Sequence, residues 1–130
     1  MTEDGYRRMF LIGALWNLVG GAIIVVATHW VFQWAGLQIP SPAVYYYSWI
    51  ALFVSFGVGY YKVYQDMHRN RDIVLMGAIG KSAFAAVFLY YYLAYPGQVP
   101  WFFVIPLVGD AVFVVFFVMF LRYARQRKTA

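Results

Sequence analysis

The 130-residue sequence contains no cysteine, which excludes disulfides, thiolate metal sites and cysteine redox chemistry. Charge is scarce as well. Asp, Glu, Lys and Arg make up 12% of the chain, against about 25% in an ordinary soluble domain. Histidine occurs only at His29 and His68, so a catalytic or haem-ligating histidine cluster has almost nothing to be built from. No stretch is both polar and long enough to form a soluble domain.

What the chain does have is apolar length: 64% of its residues are hydrophobic. A hydrocarbon core about 30 Å thick needs about 20 apolar residues per helix at about 1.5 Å rise each. Four runs of that kind are present, at about 9–28, 43–64, 73–94 and 101–121. The first follows Arg7 and Arg8, but its apolar part exceeds a signal-peptide h-region of about 7–15 residues, and "VATHW" offers no cleavage site of small residues. It is expected to remain as a membrane span. The fold class expected is therefore an all-α membrane protein, residues 1–130 forming one four-transmembrane-helix antiparallel bundle.

The basic residues set an orientation. Arg7, Arg8, Lys62, Arg69, Arg71, Arg122, Arg125, Arg127 and Lys128 flank the N-terminus, the second connection and the C-terminus, whereas "HWVFQWAGLQIPSP" and "AYPGQVP" contain no Lys or Arg. The positive-inside rule then places both termini in the cytoplasm. A basic tail such as "RYARQRK" beside a span attracts anionic lipid headgroups, at about 1 kcal/mol per basic residue, and no nucleic-acid partner is expected. His29 and His68 end successive spans on opposite faces of the membrane and cannot share a metal within one subunit, so the expected metal complement is none. His68, Arg69, Arg71 and Asp72 form a polar cytoplasmic turn, with Asn70 or Asp72 available to cap the third helix; the alternative is a headgroup or partner site.

Aromatic residues mark the outer side. Trp30, Trp34, Trp49 and Trp101 fall near the outer helix ends, with Tyr45, Tyr46, Tyr47, Tyr90, Tyr91, Tyr92 and Tyr95. Such rings settle at the headgroup boundary as a belt. Three consecutive tyrosines point about 100° apart, however, so part of each triplet faces inward. Trp30, Trp34, Tyr46, Trp49, Tyr91 and Trp101 are accordingly candidates for lining an outer aromatic cavity, capped by connections stiffened at Pro40, Pro42, Pro96 and Pro100.

The membrane interior holds one charge pair. "GAIGKS" suggests a phosphate loop, but the P-loop spacing requires its first glycine where the chain has Leu75, and the surroundings are apolar. Lys81 is instead an intramembrane lysine, costing about 2.5–3.5 kcal/mol to insert, and such residues face the interior and find a partner. It lies about 12 Å above the inner boundary, and Asp110 lies about 15 Å from either face. The third and fourth helices are joined by a short connection, so the two can pair. Asn17 and Ser55 fall near the same depth, giving a polar layer of Asn17, Ser55, Lys81 and Asp110, one residue from each helix. Gly13, Gly20, Gly21, Gly57, Gly59, Gly77, Gly80 and Gly109 surround it and allow close approach. Pro106 is expected to kink the fourth helix near Asp110. The layer reads either as a hydrogen-bonded lock or as a proton or ligand site. "LIGALWN" (Leu11 to Asn17) also resembles "LMGAIGK" (Leu75 to Lys81), which hints at two related hairpins.

With "WN" and "GG" in the first helix, "GY" closing the second, "RNRD" before "GAIGK" and "GD" in the fourth, the chain resembles small uncharacterised bacterial four-helix integral membrane proteins, loosely those of the DoxX group. The resemblance implies a multi-pass protein of the bacterial inner membrane and carries no activity with it. The chain is unlike the small multidrug exporters, whose first helix carries an essential glutamate; here that helix has only Asn17. Three functions stay open. The first is a protein binding an apolar or amphipathic molecule, a lipid, quinone or pigment, or serving as an accessory subunit. The second is a proton-coupled transporter or channel working as a homo-oligomer, and the third a membrane enzyme acting on a lipid. No cofactor motif is evident beyond a bound lipid or other apolar ligand.

Overall fold

Thr2 starts the first helix. Its hydroxyl accepts from the Gly5 amide at 3.2 Å, satisfying one of the amides that an N-terminus leaves without an intrahelical partner, and Glu3 and Asp4 in the first turn suit the positive end of the helix dipole. In the computed structural model, which describes residues 1–99 and 101–126 except for the side chain of Phe102, this helix, α1, spans Glu3–Trp34. Pro100, Arg127 and Lys128, named above, lie outside the described residues.

α1 ends in a Schellman motif. The amide of Gly36 donates to the Gln33 carbonyl at 3.1 Å and that of Leu37 to the Phe32 carbonyl at 2.9 Å. This needs a left-handed residue at the turn, which Gly36 supplies with φ 67°. Its 32 residues give a length of about 48 Å, well beyond the hydrocarbon core. The apolar run at 9–28 is only the middle of the helix, because the capping signals lie outside it.

The other helices are α2 (Ala43–Gln65), α3 (Arg71–Ala94) and α4 (Val104–Gln126), the last preceded by a short 3-10 turn, Trp101–Phe103. All four are long and apolar enough to cross a membrane, which marks a multi-pass membrane protein. Pro106 falls in the first turn of α4, where its missing N–H costs no intrahelical bond. The kink expected in mid-helix therefore has no cause, since the fourth helix begins three residues later than the apolar run. Asn70 takes the N-cap position of α3, but neither it nor Asp72 caps the helix through its side chain.

The chain divides into two compact units, Met1–Met67 and His68–Ala130, each a helical hairpin. In the first, contacts between α1 and α2 run antiparallel along the full length. At one end the Arg7 guanidinium donates to the Tyr64 carbonyl at 3.2 Å and lies 5.1 Å from the Tyr64 ring centre. At the other, Phe32 meets Tyr46 edge-on, ring centres 5.5 Å apart. Phe10, Tyr60 and Val63 are fully enclosed. In lipid this enclosure gains van der Waals contact rather than hydrophobic free energy, so closeness of fit decides its worth.

In the second hairpin, Val74, Gly77, Ala78 and Lys81 form one buried stripe on α3, at the i, i+3, i+4, i+7 spacing of a single helix face. Asp110, Phe113, Phe117, Phe120 and Ala124 form the stripe on α4. At one end His68 meets the Phe120 ring at 6.4 Å; at the other, Phe88 meets Phe103 at 5.7 Å. Gly97, with φ 85°, turns the connection. Only 17% to 33% of the most apolar stretch of each helix is buried.

Candidate functional site

In the second hairpin the Lys81 ammonium donates to the Asp110 carboxylate. Both side chains are buried, at 7% relative exposure each, and the ammonium also lies 5.5 Å from the centre of the Phe113 ring. Phe113 follows Asp110 by three residues, on the same face of α4, so one turn of helix supplies both a carboxylate and an aromatic face to the same cation.

This pair is also a boundary. Buried positions on α3 end at Lys81 and those on α4 begin at Asp110; among the described residues from Ser82 to Gly109 none is buried. Full burial in this hairpin thus reaches from Val74 to the ion pair; beyond it Phe84, Ala85 and Phe88 on α3 and Phe103 are half-buried, with the Phe84–Phe88 and Phe88–Phe103 ring centres each 5.7 Å apart.

The first hairpin makes a neutral equivalent. The Asn17 amide donates to the main-chain carbonyl of Phe53 at 2.8 Å, and Asn17 is 1% exposed. Among the described residues its side-chain oxygen has no hydrogen-bond partner. Gly57 and Gly21 let the two backbones meet there: a Cβ on Gly57 would sit 3.0 Å from the Asn17 Cβ, and one on Gly21 would sit 2.4 Å from a Val54 methyl.

The likeness between "LIGALWN" and "LMGAIGK" extends to packing. Phe10, Gly13, Ala14 and Asn17 are buried on α1 with Ile12, Leu15 and Trp16 exposed; Val74, Gly77, Ala78 and Lys81 are buried on α3 with Met76, Ile79 and Gly80 exposed. Asn17 and Lys81 therefore hold corresponding positions in their hairpins.

Ser55 does not join Asn17. Its hydroxyl bonds back to the Ala51 carbonyl of its own helix at 2.8 Å and is exposed, the usual fate of a mid-helix serine. The contribution of α2 is instead the Phe53 carbonyl, a main-chain group that no residue-type pattern can reveal. Two further features lie outside the sequence reading. Thr28 and Tyr46 share a buried hydroxyl contact at 3.3 Å, and the Arg7 side chain is fastened to Tyr64. A search for hydroxyls across antiparallel helices could have found the first.

The outer-end aromatics fall into two kinds. Tyr46 is buried and packs against Phe32, Tyr47 and Trp49, with ring centres 5.4 to 6.1 Å apart. Trp30 and Trp34 in the first hairpin, and Tyr91 and Trp101 in the second, are 49% to 69% exposed. Side chains this exposed enclose nothing within their own hairpins and have the placement of an interfacial belt. Tyr91 stacks on Tyr95 at 5.4 Å. His68, Arg69 and Asp72 are exposed and Arg71 is partly so. Arg71 and Asp72 approach to only 4.0 Å in solvent, a contact worth little.

Comparisons with protein-family models, with curated proteins and with solved structures found no match for this chain.

Proposed function

We propose that the chain is a small protein of the bacterial inner membrane, a four-helix antiparallel bundle with both termini in the cytoplasm, that binds an apolar or amphipathic molecule against the Lys81–Asp110 pair. The observation that carries this reading is the contrast between the two hairpins. At corresponding positions one hairpin is joined by a neutral amide and the other by two opposite charges. Joining helices in lipid does not require ions, because a neutral interhelical hydrogen bond already contributes about 0.6–1.7 kcal/mol. A buried ion pair loses several kcal/mol of hydration per charge and often improves stability no more than apolar residues would. An ion pair kept where an amide suffices, at the edge of a packed region, has the character of a site. The basic ends of the helices would hold anionic headgroups on the cytoplasmic side.

Two measurements test this. Protein purified in mild detergent and extracted with organic solvent should yield one molecular species enriched over bulk lipid by mass spectrometry. That species should fall at least tenfold in the Lys81→Met/Asp110→Leu double variant. An extract identical to bulk lipid in both proteins rejects the reading, and pH-dependent flux in liposomes that is lost in the double variant would replace it with transport. For topology, the cysteine-free chain accepts single probes: Ser41→Cys and Gln98→Cys should label with an impermeant maleimide from outside intact cells, and His68→Cys only after lysis. Labelling of His68→Cys in intact cells would overturn the orientation.

A further inference from the structure

Between the Lys81–Asp110 pair and the Phe103 end of the second hairpin stands a column of rings. Phe84 and Phe88 follow Lys81 by three and seven residues, on the face of α3 that carries it, and Phe103 precedes Asp110 by seven. Of residues 82–94, only Phe84, Ala85 and Phe88 are not exposed. The Phe84 and Phe88 ring centres are 5.7 Å apart, as are those of Phe88 and Phe103, so the column crosses from α3 to the chain entering α4. It fills about 10 Å of hairpin beyond the pair, at about 1.5 Å per residue. Toward His68 the pair meets other rings: the ammonium lies 5.5 Å from the Phe113 centre, and Phe117 stands 6.0 Å beyond Phe113. The two sets differ in enclosure. Phe117 and Phe120 are 0% exposed, whereas Phe84, Phe88 and Phe103 are half-buried.

We propose that Phe84, Phe88 and Phe103 form a hydrophobic gate, which keeps water off the Lys81–Asp110 pair and opens it only from the Phe103 end. The inference rests on the binding reading above and specifies access to that site rather than its occupant. A constriction lined by hydrocarbon rings dewets, because a water between them gives up hydrogen bonds that the rings cannot replace. Exclusion of water also strengthens the attraction between the two charges, which water would screen. A ring with an exposed edge can change rotamer without displacing packed neighbours, while one enclosed on all sides, such as Phe117, moves only if the helices part. Phe103 has a further freedom, since it belongs to the short 3-10 turn Trp101–Phe103 and not to α4. The Phe103 end is therefore the one that opens. Leu89, next to Phe88 in the chain, is 49% exposed and points off this face, so it takes no part.

The test reads water at the lysine itself. The only lysines are Lys62, Lys81 and Lys128, so nitrogen-15 labelling of lysine in the full-length protein gives three ammonium signals by NMR in detergent, and Lys81→Arg identifies one. Proton exchange with water at the Lys81 ammonium should be at least tenfold slower than at Lys62, whose side chain is exposed. Phe88→Ala should speed it at least tenfold, while the main-chain amides of Val74 and Ala78, on the His68 side of the pair, keep their rates. Leu89→Ala should leave all three within about twofold. Phe103→Ala, outside the helices, should act as Phe88→Ala does and decides the matter if that variant does not fold. Lys81 exchanging as fast as Lys62 in wild type overturns the gate. So does a ring variant that leaves Lys81 within about twofold of wild type, or that speeds Val74 and Ala78 equally, since the rings would then only hold the hairpin together. No ligand is added, so a gate that fails here leaves the binding reading to its own extraction test, and an extract identical to bulk lipid leaves the exchange result standing.

Discussion

Asp110→Leu is expected to destabilise the protein by about 3–5 kcal/mol, because it strands a lysine in the bilayer with no counter-charge. Lys81→Met should cost a similar amount, now stranding the carboxylate. Combined, the two changes should lie within about 1 kcal/mol of wild type, since an apolar pair of similar volume needs no dehydration of ions and packs against the same Phe113. The double-mutant cycle, read by unfolding in mixed micelles of increasing denaturing detergent, therefore gives a coupling energy of several kcal/mol. Asn17→Leu serves as the internal reference: its hydrogen bond to Phe53 should be worth only about 0.6–1.7 kcal/mol. Single variants at Lys81 and Asp110 that cost as little as Asn17→Leu would show that the charges are solvated rather than paired. The double variant is thus stable but lacks the ions, the state needed for testing ligand binding without confusing it with unfolding.

The four spans were legible because each needs only about 20 apolar residues, a property of composition alone. Their ends were less so. α1 runs six residues beyond the apolar run at either end, because Thr2 and Gly36, which control termination, both lie outside that run. Pro106 misled for the related reason that its effect depends on position within the helix, and the start of α4 at Val104 makes a kink signal into an ordinary first-turn residue. The joining of Lys81 to Asp110 could be anticipated by counting depth, since intramembrane charges have few choices of partner. The partner of Asn17 could not be, because a main-chain carbonyl carries no residue-type signature. Nor does the sequence reveal that full burial in the second hairpin stops at Lys81, since apolar residues continue along α3 on both sides of it.

Gly57→Ala is expected to destabilise the first hairpin by about 1–3 kcal/mol although it improves helix propensity by about 1 kcal/mol. The added Cβ would lie 2.8 Å from Leu18 Cγ and 3.0 Å from the Asn17 Cβ, so α1 and α2 must separate. Separation lengthens the Asn17 to Phe53 hydrogen bond, now 2.8 Å, and forfeits dispersion contacts that have no hydrophobic substitute in lipid. Gly21→Ala meets a Val54 methyl at 2.4 Å and should behave in the same way. Gly20→Ala is the control one residue away: its nearest atom would be Phe53 Cε1 at 3.7 Å, ordinary contact, so it should be neutral or gain up to about 1 kcal/mol from propensity. Adding Leu18→Ala to Gly57→Ala removes the obstructing branch and should recover part of the loss. The comparison is read in the same detergent-unfolding assay, and equal stabilities for Gly57→Ala and Gly20→Ala would mean that close backbone approach does not hold this hairpin. Gly77 holds the place in α3 that Gly13 holds in α1, as Lys81 holds that of Asn17. Close approach secures the first hairpin around a neutral amide, and the second places a charge pair in its last fully buried layer.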